Sequence, residues 1–399
     1  MRLGIFSDNF FPETSGVSDS ILLLGQELAG RGHTIFFYVP RYGQKDYAQA
    51  GLTTRDSDFG PNIMIRRFFA WPFPAGTGQG RLFIPGPRAW RRVALDQPDL
   101  LYVQQPFGTG HLALKAARKL KIPLLGTNHT AVSEFIKYQG PGSGWIKRMA
   151  LKYFSWYYNH CQLVTGPSQW VYSSLAPAGL SAPYRVISNP LDFNIFFPVA
   201  EAKEAALREE LKLSPDTISF AGRLSSEKKI NILIQATALV KAKFPNVNLA
   251  LAGNGQDSVL LKKMALDLGL EENVKFLGRL TQMELAKVFQ ASVIFVTAST
   301  SETQGMTVLQ AMACGRAVIG VRSLALPEYI SGHNGFLVEP DNPQALAGAI
   351  IEFLSDRKRC ADLGQGGRED VQKYSRQNIA DTWENIFQSA IKADPGQGK

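Results

Sequence analysis

The chain has 399 residues, 45% of them hydrophobic and 19% charged, and a formal net charge of +9. This balance is typical of a globular protein, and the length exceeds what one hydrophobic core needs, so we expect two domains. The sequence lacks an apolar run of the ~18 residues that a membrane span requires, lacks a signal-peptide pattern at its start, and spaces its three cysteines too widely for a metal site.

Strands and helices are predicted to alternate along the chain. In the first half we predict strands at 2–7, 34–39, 100–103, 124–127 and 163–165, and helices at 18–31 and 145–158. In the second half we predict strands at 218–221, 248–252, 274–277, 293–296 and 317–320, and helices at 230–243, 256–268, 281–290 and 307–314, then a pair from 344 and a last helix at 377–391. This order predicts two parallel, doubly wound domains. Asn189, Pro190 and Pro198 interrupt the pattern and mark the boundary.

The stretch 299–315 carries most of the functional information; it reads Ser-Thr-Ser-Glu-Thr-Gln-Gly-Met-Thr-Val-Leu-Gln-Ala-Met-Ala-Cys-Gly. A buried strand is predicted before it, and the run from Thr307 to Cys314 favours a helix that stops at Gly315. A loop between a strand and a helix presents free backbone N–H groups and the positive end of a helix dipole, which suit phosphate. Glu302 lies in this loop and can accept hydrogen bonds from sugar hydroxyls. The segment is therefore predicted to hold a sugar and a diphosphate together.

This segment resembles the signature of the family 4 retaining glycosyltransferases, which have the GT-B fold. The family has a Glu, seven residues, and then a second Glu; Glu302 matches the first, and Gln310 stands at the second. The form Thr303-Gln304-Gly305 is most similar to the branch that glycosylates lipids, such as diacylglycerol glucosyltransferases. The resemblance implies an α/β fold with two doubly wound Rossmann-like domains facing a central crevice.

The resemblance also implies a role for each domain. Residues 1–188 would form the N-terminal domain, which faces the acceptor and the membrane, and 189–375 the C-terminal domain, which binds the nucleotide sugar. Residues 376–399 would form a C-terminal helix that crosses back to the first domain. In the donor site, Glu302 and the backbone of Gln304, Gly305, Met306 and Thr307 would hold the sugar and diphosphate, and Gln310 would contact the ribose.

Further matches to the family follow in order along the chain. Gly16 lies in the first strand-to-helix loop, where glycine lets the backbone approach the donor diphosphate. Arg223 and Lys228 match the Arg and Lys that grip the diphosphate, and two fixed cations can neutralise the charge of a leaving nucleotide. Lys229 departs from the family, which has Gly there. The alternatives are an ordinary turn at Gly16 and a solvated charged loop at 223–229.

Three more residues complete the predicted site. Gly253 and Arg279 follow two strands of the second domain; the resemblance implies that the first approaches the donor and that the backbone of the second meets the nucleotide base. His129 follows the strand at 124–127, and the resemblance places it beside the transferred sugar, where a neutral imidazole could bond a hydroxyl or pass a proton. Each match alone is also compatible with a structural turn or a structural histidine.

The resulting prediction is a metal-independent, retaining hexosyltransferase that uses a nucleotide sugar as a substrate and needs no cofactor. Asp56-Ser57-Asp58 resembles a metal motif, but it follows no predicted strand, so no metal site is expected. UDP-glucose is the first donor expected and GDP-mannose the second, with a membrane lipid as the acceptor. Two alternatives remain: a transferase of the same fold with a soluble acceptor, and a non-catalytic homologue that binds nucleotide sugars, since Gln310 lacks the carboxylate charge.

The charge distribution indicates a membrane partner. Residues 1–199 hold 20 Lys and Arg but only 11 Asp and Glu, so the whole positive excess lies there, with large aromatic residues among it. Such a surface favours anionic lipid over nucleic acid, for which no binding module is present. We predict membrane contacts at Arg66, Arg67, Trp71, Arg91 and Arg92, and a cytoplasmic protein bound peripherally to the inner face of the cell membrane. The helix at 145–158 has basic and aromatic residues but could equally pack in the core.

Overall fold

The computed structural model describes residues 1–13, 15–49, 59–72, 80–130 and 144–393. The chain forms two compact units, one made of Met1–Pro190 and the C-terminal segment that starts at Arg376, the other of Leu191–Ser375. The first unit therefore ends two residues later than the expected boundary at 188. The Asp56-Ser57-Asp58 motif lies outside the described residues.

The first unit contains a parallel sheet in the strand order β3-β2-β1-β6-β7-β8-β9. Its strands are β1 Arg2–Phe6, β2 Thr34–Pro40, β3 Ile63–Phe68, β6 Leu100–Val103, β7 Leu124–Thr127, β8 Leu163–Gly166 and β9 Tyr184–Val186, and β4 Trp71–Pro72 pairs with β5 Arg81–Leu82 in a short antiparallel ribbon. Its helices are α1 Gly16–Gly30, α2 Gln44–Gln49, α3 Trp90–Leu95, α4 Gly108–Leu120, α5 Gly144–Tyr158 and α6 Gln169–Leu175, with the C-terminal helix α15 at Arg376–Lys392.

The second unit contains a parallel sheet in the strand order β12-β11-β10-β13-β14-β15. Its strands are β10 Thr217–Ala221, β11 Asn248–Ala252, β12 Val274–Gly278, β13 Ile294–Val296, β14 Ala317–Val321 and β15 Gly335–Val338. Its helices are α7 Glu201–Leu211, α8 Ile230–Lys241, α9 Ser258–Asp267, α10 Gln282–Ala291, α11 Met306–Ala313, α12 Leu326–Tyr329, α13 Pro343–Ser355 and α14 Arg357–Asp370. The central strands are buried on both faces because helices cover both sides of the sheet.

Both sheets therefore have the predicted parallel, doubly wound class, and their strand order reverses beside the first strand of each unit. At such a point the loops at the carboxyl ends of neighbouring strands diverge and leave room for ligands. The C-terminal helix α15 packs on the first unit, where Trp383 lies against Tyr102 with 4.6 Å between ring centroids. Arg31, directly after α1, pairs with Glu384 of α15 at 3.0 Å.

Strand β3 differs from the sequence-based expectation. The segment around Arg66 and Arg67 was expected to be a surface stretch facing a membrane, but it pairs with β2 as the outer strand of the first sheet. Arg66 and Arg67 are adjacent on this edge strand, so their side chains point to opposite faces of the sheet, and the strand lacks the apolar and polar alternation by which a strand is predicted.

Candidate active site

The loops that follow β10, β11 and β12 are joined by backbone hydrogen bonds at the carboxyl edge of the second sheet. Gly222 N–H donates to Ala252 O at 2.9 Å, and Gly253 N–H donates to Gly278 O at 2.7 Å. Gly253 has φ +141°, and a Cβ built on it would lie 1.9 Å from Gly222 O, so only glycine allows this approach. These bonds place the predicted donor residues Arg223, Gly253 and Arg279 along one edge.

Lys228 and Glu302, which are 74 positions apart in sequence, form an ion pair. Lys228 Nζ lies 2.5 Å from Glu302 Oε1, and each side chain is 19% exposed. A backbone bond from Thr300 N–H to Glu227 O at 3.3 Å links the two loops as well. The structure therefore brings together the predicted diphosphate cation and the predicted sugar-binding carboxylate.

The ion pair keeps Glu302 ionised. Burial raises the pKa of this carboxyl, but the charge of Lys228 and hydrogen bonds from Lys228 and Ser299 outweigh burial and lower the pKa below its usual value. An ionised carboxylate can only accept hydrogen bonds, which suits contact with sugar hydroxyls. Lys228 has three donor hydrogens and uses one on Glu302, so it can still donate to an anionic ligand.

Arg223 is exposed and forms no ion pair or hydrogen bond through its guanidinium with the residues that the structure describes. Its backbone continues the loop after β10, and its carbonyl accepts the Ser225 N–H at 3.0 Å. A guanidinium offers donors in a planar fork that fits phosphate oxygens. The position and chemistry of Arg223 therefore fit the predicted diphosphate role.

Helix α11 begins beside the Lys228–Glu302 pair. Gly305 precedes its first residue with φ +80° and ψ +58°, a left-handed conformation that costs glycine little and most other residues more. The amides of Met306 and Thr307 lie in the first turn, where backbone N–H groups have no partner within the helix. The side chain of Gln304, just before the helix, is buried.

Gln310 lies on the same helix and contacts an amide of α10. Its Nε2 donates to Gln282 Oε1 at 3.3 Å, and its side chain is buried. With the nitrogen turned toward Gln282, the oxygen Oε1 of Gln310 is left to accept a hydrogen bond, as a carboxylate oxygen would. Arg279, three residues before Gln282, is exposed.

Lys229 shows why this loop usually carries glycine in the family. Its backbone has φ +53° and ψ +39°, in the left-handed region, at the start of α8. Its Nζ pairs with Asp341 Oδ1 at 3.0 Å. Lys229 therefore adopts the glycine-like conformation in a structural role, and Lys228 is the one beside Glu302.

His129 follows β7 in the first unit and contacts Gln104 after β6. Its Nε2 lies 2.8 Å from Gln104 Oε1, and since an amide oxygen only accepts, Nε2 carries the proton. Burial lowers the pKa of His129 to about 4, so the imidazole is neutral near pH 7. It can exchange hydrogen bonds with hydroxyls but cannot serve as a cation. Gly16 is exposed in the first turn of α1. Donor contact by these two residues stays a prediction.

Sequence reasoning missed Asp8, which follows β1. Its Oδ1 accepts the Thr109 N–H at 2.9 Å, while its Oδ2 has no partner in the part of the chain that the structure describes. Burial raises the pKa of Asp8 to about 6, although the hydrogen bond from the Thr109 N–H acts to lower it. The signal in the sequence was a carboxylate directly after a buried strand, the position where ligand-binding residues of such sheets occur.

Asp8→Asn is expected to stabilise the protein at pH 7.5. Folding raises the pKa of Asp8, so the folded state binds more protons than the unfolded state between pH 4 and 6, and stability falls as pH rises through this range, by up to about 3 kcal/mol. Asn at position 8 does not titrate, so the variant avoids this loss of stability, and its side-chain oxygen can still accept a hydrogen bond from the Thr109 N–H. The melting temperature of the variant should exceed that of the wild type at pH 7.5, with a smaller gap at pH 5. A gap that does not change with pH would contradict the account.

The predicted membrane residues divide into two groups. Arg66 Nη2 lies 2.5 Å from Asp96 Oδ1, and Arg67 donates to Phe11 O at 2.8 Å and Pro40 O at 3.0 Å, so both arginines hold the first unit together. Trp71, Arg91 and Arg92 are exposed. Trp71, Arg91 and Arg92 are therefore better candidates for membrane contact than Arg66 and Arg67. The described residues contain no helix that is long and apolar enough to cross a membrane.

Comparison with known proteins agrees with the predicted class. The model of Glycosyltransferase Family 4 matches residues 14–194, and that of Glycosyl transferases group 1 matches 203–370. An alpha-monoglucosyldiacylglycerol synthase of Streptococcus pneumoniae is 31% identical over 363 residues, covering 89% of this chain and 78% of the relative. The chain is a family 4 glycosyltransferase. The same enzyme name belongs to a relative from Acholeplasma laidlawii, 23% identical over 98% of both chains.

Another relative of this glycosyltransferase is named for a mannosyl donor. A GDP-mannose-dependent alpha-mannosyltransferase of Mycolicibacterium smegmatis is 27% identical and covers 98% of this chain and 96% of its own. Among solved structures, Anabaena HepE in complex with UDP-glucose has a TM-score of 0.76 at 20% identity and covers 98% of this chain and 100% of its own. Sucrose-phosphate synthase from Thermosynechococcus elongatus has a TM-score of 0.77 at 21% identity, over 98% and 99% of the two chains. These likenesses confirm the GT-B fold.

Proposed function

We propose that this glycosyltransferase moves a hexose from a nucleotide sugar, with UDP-glucose the first donor to test, to a membrane lipid with retention of configuration. The observation that carries the proposal is the Lys228–Glu302 pair, at 2.5 Å, on the loops that also present Arg223 and the start of α11. Cations and free amides suit a diphosphate, and the carboxylate suits a sugar.

The proposed chemistry is electrostatic. Arg223, Lys228 and the amides of Gln304 to Thr307 stabilise the negative charge that grows on the diphosphate as the bond to the sugar breaks. Glu302 holds the hexose through its hydroxyls and fixes Lys228 in place. The leaving phosphate takes the proton of the attacking hydroxyl on the same face of the sugar, so the configuration at the sugar carbon is retained. His129, neutral near pH 7, bonds a sugar hydroxyl.

Donor identity is tested by thermal shift with a panel of nucleotide sugars and nucleotides. A ligand that binds only the folded state raises the melting temperature in proportion to the logarithm of its concentration. UDP-glucose and UDP are expected to raise it more than GDP-mannose and GDP. A larger shift with the guanine nucleotides would replace the proposed donor, and no shift with any of them would oppose the donor site itself. Both alpha-monoglucosyldiacylglycerol synthases among the relatives support a lipid acceptor.

Activity is expected to survive EDTA. The proposed charge stabilisation comes from Arg223, Lys228 and backbone amides, and these need no metal ion. The rate of nucleotide release with donor and lipid should be unchanged after treatment with EDTA and removal of the chelator. A loss of rate that Mg²⁺ or Mn²⁺ restores would contradict a metal-independent transferase.

Peripheral membrane binding is proposed for the first unit. Trp71 is 51% exposed beside Phe69, which is 63% exposed, and the first turns of α5 expose Trp145 and Met149. Arg91 and Arg92 lie exposed on α3. Aromatic side chains with nearby cations are typical of surfaces that bind the headgroup region of anionic membranes.

Replacing Arg91 and Arg92 by Ser is expected to weaken binding to anionic vesicles by about 10- to 30-fold, since each basic residue near the surface contributes about 1 kcal/mol. Co-sedimentation with phosphatidylglycerol and phosphatidylcholine vesicles measures this, and binding should fall as salt rises. Arg66 is left intact because its loss would break the pair with Asp96. The charge-matched control replaces two exposed cations of the second unit, Lys263 and Lys358. Equal binding of wild type to neutral and anionic vesicles would contradict the proposal.

A further inference from the structure

Among the buried polar side-chain atoms of the first unit that have no hydrogen-bond partner in the described residues, four belong to residues that follow neighbouring strands of the sheet. They are Asp8 Oδ2, Gln104 Nε2, Asn128 Nδ2 and Ser168 Oγ. The four residues, here called the polar row, are each at most 7% exposed. Each such atom costs about 1–3 kcal/mol when it lacks a partner, so four of them on one domain need an explanation.

The polar row follows one edge of the first sheet. Asp8 comes two residues after β1, Gln104 directly after β6, Asn128 directly after β7, and Ser168 two residues after β8. These four strands are neighbours in this order and run parallel. Since neighbouring strands lie about 4.8 Å apart, the row extends over about 14 Å at the carboxyl edge, where ligands of such sheets bind.

The chemistry of the row indicates a ligand with hydroxyl groups. Asp8 Oδ2 accepts, the two amide nitrogens donate, and the Ser168 hydroxyl does both. A hydroxyl group donates and accepts at once, so it can satisfy each of these partners. A phosphate would be repelled by the carboxylate of Asp8, and an apolar group would leave all four atoms unpaired.

The length of the row indicates several hydroxyls. A hydrogen bond spans about 3 Å, so the single free hydroxyl of diacylglycerol can reach only one or two members of the row. A sugar ring carries hydroxyls around its whole edge and can reach members on adjacent strands. His129, whose Nε2 is fixed on Gln104, lies beside the row and is already expected to bond a hydroxyl.

We propose that the polar row binds the glycosyl head group of the acceptor, so that the lipid substrate already carries a sugar. This inference rests on the proposed function and names the acceptor class within it. This binding would explain why Asp8 Oδ2 lacks a partner among the described residues. The buried carboxylate lowers the stability of the folded protein, but it accepts hydrogen bonds from acceptor hydroxyls when the substrate binds.

Acceptor choice is the first test. The rates of transfer from UDP-glucose to monoglucosyldiacylglycerol and to diacylglycerol are compared in the same vesicles. We expect kcat/KM to be at least about 10-fold higher for the glycosylated lipid, since one or two hydrogen bonds to buried partners contribute about that factor. An equal or higher value for diacylglycerol would overturn the proposal.

Variants of the row are the second test. Ser168→Ala and Asp8→Asn are expected to raise the KM for the glycosylated acceptor about 10-fold or more, with little change in the KM for the donor. Ser173→Ala is the matched control, since Ser173 is exposed on helix α6, which begins directly after Ser168, and it should change neither value. An unchanged acceptor KM in both folded variants, or a rise in the donor KM alone, would overturn the proposal; the second result would mean that the row holds the transferred hexose.

Failure of this inference is distinguishable from failure of the proposed function. If no lipid is glycosylated but methyl α-glucoside is, and the variants raise its KM, the lipid acceptor is wrong and the glycosyl-binding role of the row stands. If monoglucosyldiacylglycerol is glycosylated with a KM that the variants do not change, the proposed function stands and the role of the row is overturned.

Discussion

Replacing Arg223 or Lys228 by Ala is expected to lower kcat by about 100-fold or more, because each removes a fixed positive charge from the leaving diphosphate. The two variants should differ in stability. Arg223 is exposed and has no side-chain partner in the described residues, so its loss should leave the melting temperature nearly unchanged. Loss of Lys228 leaves Glu302 without its ion-pair partner, and the melting temperature should fall.

Steady-state release of nucleotide in the presence of donor and lipid measures this effect. Lys287→Ala is the control, since Lys287 is a cation of the same unit whose side chain is 44% exposed and pairs with Glu210 at 2.7 Å. A turnover close to wild type in either variant would remove that residue from the leaving-group role. A fall equal to that of the control would point to a general effect of charge.

Glu302→Gln is expected to lower kcat far more than Gln310→Glu. The amide at 302 keeps the shape but loses the charge that binds Lys228, so both the sugar contact and the position of the cation are weakened. At 310 the added carboxylate can accept a hydrogen bond from Gln282 if that amide turns its nitrogen toward it, and it gives ribose hydroxyls a stronger acceptor. We therefore expect a lower donor KM with little change in kcat.

Separate measurement of kcat and donor KM distinguishes these outcomes, because a contact made equally in the ground and transition states changes KM alone. Gln282→Ala serves as a companion variant: without its partner, the Gln310 amide loses its orientation, and the donor KM should rise. A large fall in kcat for Gln310→Glu would show that this position does more than contact ribose.

The parallel class of both sheets could be predicted from the sequence because the buried strands are short apolar runs separated by helical periods. The pairing of Lys228 with Glu302 could not, since the two residues are 74 positions apart and pattern matching assigns each a role by itself. For the same reason Arg66 was predicted to face a membrane: its partner Asp96 lies 30 positions away.

The polar row could not be predicted from the sequence for a different reason. Asp8, Gln104, Asn128 and Ser168 belong to four separate segments, and each looks like an ordinary polar residue after a strand. Only the strand order places them side by side, and only the packed structure shows that a polar atom of each is buried without a partner among the residues described. In chains predicted to form parallel sheets, the polar residues that directly follow buried strands should therefore be considered together as one candidate site.

The most direct test of the account is the configuration of the product formed from UDP-α-glucose and a glycolipid acceptor in anionic vesicles. Proton NMR of the purified lipid product reports the new anomeric bond. The account predicts an α-linked glucose, formed by wild type and lost in Arg223→Ala. A β-linked product, or release of free glucose without any lipid product, would contradict a retaining lipid glycosyltransferase.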